Sequence, residues 1–140
     1  MSKRVALKDH VLVDTQDLSN FARSVRFASE HERIAVSGFS ASGANEYLPG
    51  PTEQSLTVEF FGAYGAAETH AILYPLHKNR TVFPVEWRPD QTNPVSATNP
   101  QLEGNVTLYS YGPGATRGDV DTFEAVFQAA DSAGLAFVTA

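Results

Sequence analysis

Along most of the chain, hydrophobic and polar residues alternate with a period of two. In FARSVRFAS, Phe21, Val25 and Phe27 share a face with Arg23, opposite Ala22, Ser24, Arg26 and Ala28, as in a half-buried strand. SLTVEFFG sets Leu56, Val58 and Phe60 against Thr57 and Glu59. TVFPVEWRP gathers Phe83, Val85 and Trp87, with Pro84, which has no amide proton to donate, marking an edge or a bulge. NVTLYSYG opposes Val106 and Leu108 to Thr107 and Tyr109, DTFEAVFQAA opposes Phe123, Ala125 and Phe127 to Glu124 and Gln128, and LAFVTA supplies a terminal strand. The period changes once, in AAETHAILYPLHKN, where Ile72, Leu73 and Leu76 fall at helical spacing after Ala67 and Glu68, which suit a first turn. Pro75 predicts a kink or an end near His77. The pattern predicts a mainly β fold: an antiparallel β-sandwich of two sheets packed face to face, with one flanking α-helix over an open end.

Three stretches fall outside this framework: an N-terminal arm over residues 1–17, SGFSASGANEYLPGPTEQ over 37–54, and DQTNPVSATNPQ over 90–101. Segments this long without secondary structure are uncommon in compact domains and are usually functional or disordered. With 140 residues and 42% hydrophobic content, the chain supports one core and so one domain, and its 10 glycines and 8 prolines are spread as turn punctuation along the whole length.

The absence of cysteine removes disulfides, thiolate nucleophiles and cysteine-based metal sites. No apolar run is long enough to span a bilayer, and MSKRVALKDHVLVD is too broken for a signal peptide, so a cytosolic product is expected. A net charge of −6 argues against conventional nucleic-acid binding.

Catalytic patterns are weak. GPGATRG, residues 112–118, misses the dinucleotide fingerprint by one residue and precedes a strand, so it reads as a hairpin turn with Arg117 at its tip. His70 and His77, seven apart, lack a third ligand and are separated by Pro75, and Glu68 is more simply a helix-start acid. No serine sits in a nucleophile elbow. An enzyme would need groups converging from distant strands, with His70, His77 and Glu68 as the set to examine; an adhesion module would use Tyr109, Tyr111 and Trp87.

DLSNFARSVRFASEHERIAVSGF, ASGANEYLPGPTEQSLTVEFF, AILYPL, VEWRPDQTNPVSATNPQLEGNVTLYSY and GDVDTFEAVFQAADSAGLAFVTA, in this order, resemble the major tail tube protein of long-tailed bacteriophages, especially those of actinobacterial hosts. The resemblance runs from about Asp17 onward, and its most specific parts are DLSNF, EYLPG before SLTVEF, and NP before GNVTLYSY.

What the resemblance implies is a structural virion protein of the tail, neither enzyme nor cofactor binder. Six copies would close into a ring whose sheets line a channel, and rings would stack into a tube that conducts DNA without binding it specifically. The partners implied are the chain itself, a tape measure protein and tail-end proteins, with no membrane. A tail terminator or the tube subunit of an injection device would share the pattern. Six copies at −6 each carry −36 by formal count, a repulsive conduit for phosphate if enough acids face inward. On this reading the 37–54 loop is an inter-ring arm with Phe39, Tyr47, Leu48 and Pro49 as anchors, and the N-terminal arm is a second contact through Val5, Leu7, Val11 and Leu12.

Overall fold

The computed structural model describes residues 3–39 and 43–139. Its elements are β1 His10–Val13, β2 Gln16–Asp17, β3 Ala22–Ala35, β4 Tyr47–Phe61, α1 Thr69–Lys78, β5 Val82–Arg88, β6 Gln101–Tyr111, β7 Thr122–Ala129 and β8 Ala136–Val138. The strands form one antiparallel sheet in the order β2-β1-β5-β6-β7-β4-β3, and β8 pairs with the start of β6. The mainly β architecture with one helix is as the periodicities predict, but its layers are continuous: β6 pairs with β5 over Leu102–Thr107 and passes to β7 from Val106 onward.

Connectivity forces this sheet to curl. The first and last strands of the order, β2 and β3, are separated only by residues 18–21. That link reaches at most about 18 Å, whereas six flat interstrand steps would need about 29 Å. The sheet therefore bends round until its two ends approach, and the apolar face closes on itself. Leu18, in the link, is fully buried.

Inside lie Val11 and Val13 of β1, Leu56, Val58 and Phe60 of β4, Phe83 and Val85 of β5, Leu102, Val106 and Leu108 of β6, and Phe123, Ala125 and Phe127 of β7. Phe83 meets Phe127 edge to face at 5.8 Å, a preferred aromatic geometry. Phe137 of β8 contacts both Phe27 and Trp87, which joins β3 and β5 across the fold.

The helix begins at Thr69, later than the sequence spacing suggests, because Ala67 has φ +60° and cannot sit in a right-handed turn. Leu73 and Leu76 pack into the core. Pro75 is accommodated inside the helix: the carbonyl it leaves without an amide partner is that of exposed Ala71. Thr69 is completely buried, and its Oγ1 accepts the Ala63 amide proton at 3.0 Å while lying 3.1 Å from the Phe61 carbonyl it can donate to. One hydroxyl thus ties the helix start to the end of β4.

Two expectations for irregular segments are corrected. Residues 10–17 are a β-hairpin, with β1 paired to both β2 and β5. Its turn, Asp14 and Thr15, has both φ values positive, the primed geometry that matches strand twist, but without the glycine or asparagine that usually announces it. In the 90–101 stretch, buried Asn99 donates to the carbonyls of Asp90, Asn93 and Pro94 and accepts the Asp90 amide proton. The Asp90 carboxylate in turn accepts from the Thr92 hydroxyl and amide and from Asn93, which holds it below the usual carboxylate range. This segment is a braced connection.

Two substitutions test these ties. Thr69→Val keeps the shape but strands the Ala63 amide and should cost about 1–3 kcal/mol, read as a lower urea midpoint with an unchanged slope. Asn99→Ala should cost a similar amount, about 1–3 kcal/mol, with faster amide exchange confined to residues 90–101.

Candidate assembly surfaces

Ser55 is the last residue at which β4 touches β7; from Gln54 to Tyr47 it runs on with β3 alone. The result is a two-stranded ribbon, from Ser29 to Ala35 on one side, extending about 24 Å beyond the sheet. A ribbon of this kind is marginally stable in water by itself. Its base is pinned by Gln54, whose side-chain amide accepts from Leu135 N at 2.8 Å and donates to Leu135 O at 2.9 Å. Further out, His31 bonds Thr52 at 2.7 Å and the Arg33 guanidinium stands 3.9 Å from the centre of the Tyr47 ring.

The loop expected over 37–54 is thus strand from Tyr47 on, and residues 40–42 lie outside the described residues. Pro49 and Pro51 argue against a strand only where a second neighbour needs their amides, and this half of β4 has none. The ribbon is almost entirely exposed, yet it carries Ile34 and Leu48 directly opposite each other, with Val36, Tyr47 and Phe39 nearby. Phe39 is 113% exposed, without internal packing. At Gly50 a Cβ would meet Glu32 Cβ at 3.0 Å and the Ile34 side chain at 3.1 Å, so the two strands approach closely here. Glu30 and Glu53 stand opposite each other, a like-charge pairing that destabilises a ribbon, and no cation among the described residues pairs with either.

Of the four N-terminal residues expected as arm contacts, Val5 and Leu7 are exposed. Val11 is corrected: it is 1% exposed, paired with Trp87, and belongs to the core. Leu12 is half-buried in the same strand. The segment before β1 is held by an Arg4–Asp9 ion pair at 2.9 Å and by Trp87 Nε1 donating to Asp9 at 2.9 Å.

On β3, β4 and β7, the face turned away from the core carries Ser24, Arg26, Thr57, Glu59 and Glu124, small or charged groups with no second layer over them. A register shift at Arg23 swings it to Glu59 at 3.3 Å.

The end of the sheet away from the ribbon holds an aromatic cluster. The His70 ring stacks on Tyr74 at 5.2 Å and 14°, lies 5.2 Å from Tyr64, and its Nδ1 is 2.7 Å from the Tyr111 hydroxyl. Tyr111 stands edge-on to Phe123, and burial, with Tyr64 adding a smaller effect, pushes its hydroxyl pKa up. His77 donates from Nδ1 to the Leu108 carbonyl at 3.0 Å. Glu68 faces Gly65. Both imidazoles are therefore engaged in packing, and among the described residues no three histidine or acidic side chains converge as metal ligands. The 112–118 stretch is the first part of the 112–121 connection between the antiparallel strands β6 and β7. Tyr109 is exposed and Trp87 partly covered, on separate parts of the surface.

Ile34, Val36, Tyr64 and Tyr74 were not foreseen as surface features. The signal for the first two was the continued alternation of HERIAV; for Tyr74 it was the four-residue spacing from His70.

No protein-family model matches the chain, and no curated protein matches it by sequence. Solved structures do. A chain of a native gene transfer agent virion is 15% identical with a TM-score of 0.74, covering 98% of this chain and 100% of that one. The SPP1 tail tube is 14% identical with a TM-score of 0.68, over 95% of this chain and 76% of its own. The baseplate of the anti-feeding prophage is 12% identical with a TM-score of 0.61, over 99% and 98%. These identities are low, but 95–99% of this chain is covered in each, and so it shares the fold of those gene transfer agent virion, tail tube and baseplate chains.

Proposed function

We propose that this protein is a major tail tube subunit, a structural component of a virion tail that assembles from copies of itself and performs no catalysis. Closed rings, six copies each, stack into a tube whose bore conducts DNA without binding it specifically. The observation that carries this reading is the β3–β4 ribbon: a two-stranded extension with unpaired outer edges and exposed Ile34, Leu48 and Phe39. A lone molecule gains nothing from ordering such a ribbon, whereas a neighbouring copy covers its apolar groups.

The similarity to tail structures supports the same reading, since another tail matched by this fold, that of an empty gene transfer agent particle at 16% identity and TM-score 0.66, was resolved with C6 symmetry and covers 85% of this chain and 83% of that one. In this role Phe39, Tyr47, Leu48 and Pro49 couple one ring to the next, and Val5 and Leu7 provide a second contact. Tape measure and tail-end proteins complete the tail. The likeness to an anti-feeding prophage baseplate favours, as a second reading, the tube of an injection device.

Electron microscopy of the concentrated protein should show rings or tubes of uniform bore; a monomer at every concentration would overturn the proposal. Replacing residues 37–45 by an Asn-Gly turn, with Leu48→Ser, should preserve the folded domain and ring formation but abolish stacking. Tubes of normal length from that variant would remove the ribbon from its coupling role. A tube under a contractile sheath would select the injection-device reading.

A further inference from the structure

We propose that the aromatic cluster around His70 is the receptor for the ribbon of the next copy in the stack, an inference that rests on the tube reading and specifies where its coupling arm lands. The first ground is position. β4 runs from Tyr47 at the ribbon tip to Phe61, and β6, parallel to it with β7 between them, ends at Tyr111, so the tip and the cluster occupy opposite ends of one sheet. Identical subunits stacked in one orientation join by heterologous contacts, in which the surface at one end must complement a different surface at the other.

The second ground is chemistry. Tyr64 and Tyr74 are 58% and 43% exposed although their rings are already ordered around His70. This pre-organised aromatic wall offers contact area at little further cost in side-chain entropy, as interface anchors do. Ile34 and Leu48, opposite each other on the ribbon, are the aliphatic counterpart.

The third ground is charge. Residues 29–54 carry four acids and one arginine, and the Glu30–Glu53 pair has no cation partner among the described residues, whereas α1 ends in His77 and Lys78 with Arg80 just beyond. The acidic ribbon complements the basic end of the helix, while Glu68 and Asp121 at the same end of the sheet oppose it, so charge directs where on that end the ribbon lands more than it adds affinity.

The chain contains no cysteine, so an introduced pair reports cleanly. Tubes of a Leu48→Cys, Tyr74→Cys double variant, oxidised after assembly, should run as a covalent ladder on non-reducing gels, and neither single variant should. Wild-type tubes give an independent reading: nitration of Tyr64 and Tyr74 by tetranitromethane, present in the free subunit, should be lost. Tubes that form without the ladder and with both tyrosines still nitrated overturn the receptor while leaving the ribbon's coupling role intact. A ladder from Leu7→Cys with Tyr74→Cys instead would assign the cluster to the N-terminal segment and overturn it equally. Failure to form tubes under any condition overturns the tube reading and this inference together.

Discussion

Every strand needs a neighbour for its peptide groups, and in this molecule the supply of neighbours ends at Ser55. Up to that residue β4 is bonded on both sides, by β3 and β7; beyond it the ribbon keeps one internal ladder and presents two bare edges. Water satisfies those edges but contributes no cohesion, and the burial that stabilises a sheet is missing where Ile34, Leu48 and Phe39 face solvent. The energetic gradient along one hairpin is steep: well packed at Phe60 and Val58, braced by Gln54 at the boundary, and dependent on another molecule at Tyr47.

The packed half is what allows the other half to project. Because residues 18–21 draw β2 and β3 together, the sheet curls over its own apolar face and needs no second sheet to cover it. Thr69 fastens the helix to the end of β4, and Gln54 fastens the β7–β8 turn to its middle, close against Gly134, whose φ of +65° and proximity to the Gln54 amide leave no room for a side chain. The ribbon therefore leaves from a rigid base, which preserves its direction for binding.

Legibility in the sequence followed how local each cause is. The strands around Val58, Val85, Val106 and Ala125 announce themselves because a pleated strand with one buried face imposes period two on its own residues. The hairpin at residues 10–17 did not, since its turn follows Asp14, which tolerates positive φ, with Thr15, a β-branched residue that rarely adopts it, in place of the glycine that would announce the turn. For the same reason Val11 looked like a free arm contact when it is core. The ribbon was hidden by Pro49, Pro51 and three glycines, residues that normally break strands and are compatible with this one only because it lacks a second neighbour. The apolar residues of the 37–54 segment stood out against their polar surroundings, whereas Tyr64 and Tyr74 had no such contrast, since each stands among other apolar residues such as Ala63 and Leu73. The curl is set by pairings far apart in sequence, such as Val11 with Trp87, and no window of residues contains it.

Charge and apolar contact work on different length scales in the assembly proposed. At −6 per copy the subunits repel one another, and that repulsion decays over about 8 Å at physiological ionic strength. Burial of Leu48 or Phe39 acts only at contact and is worth about 1.5–3 kcal/mol for each side chain fully covered. A single ribbon covering a few such groups therefore balances closely against the charge it must bring near, so isolated subunits gain little by pairing. A ring already closed presents six ribbons held in register by one body, and the second and later contacts form without a new loss of translational freedom. Apolar anchors on ribbons that leave from a rigid base, combined with a net negative surface, thus favour growth from a preformed ring over random association, because only there do many weak contacts act at once.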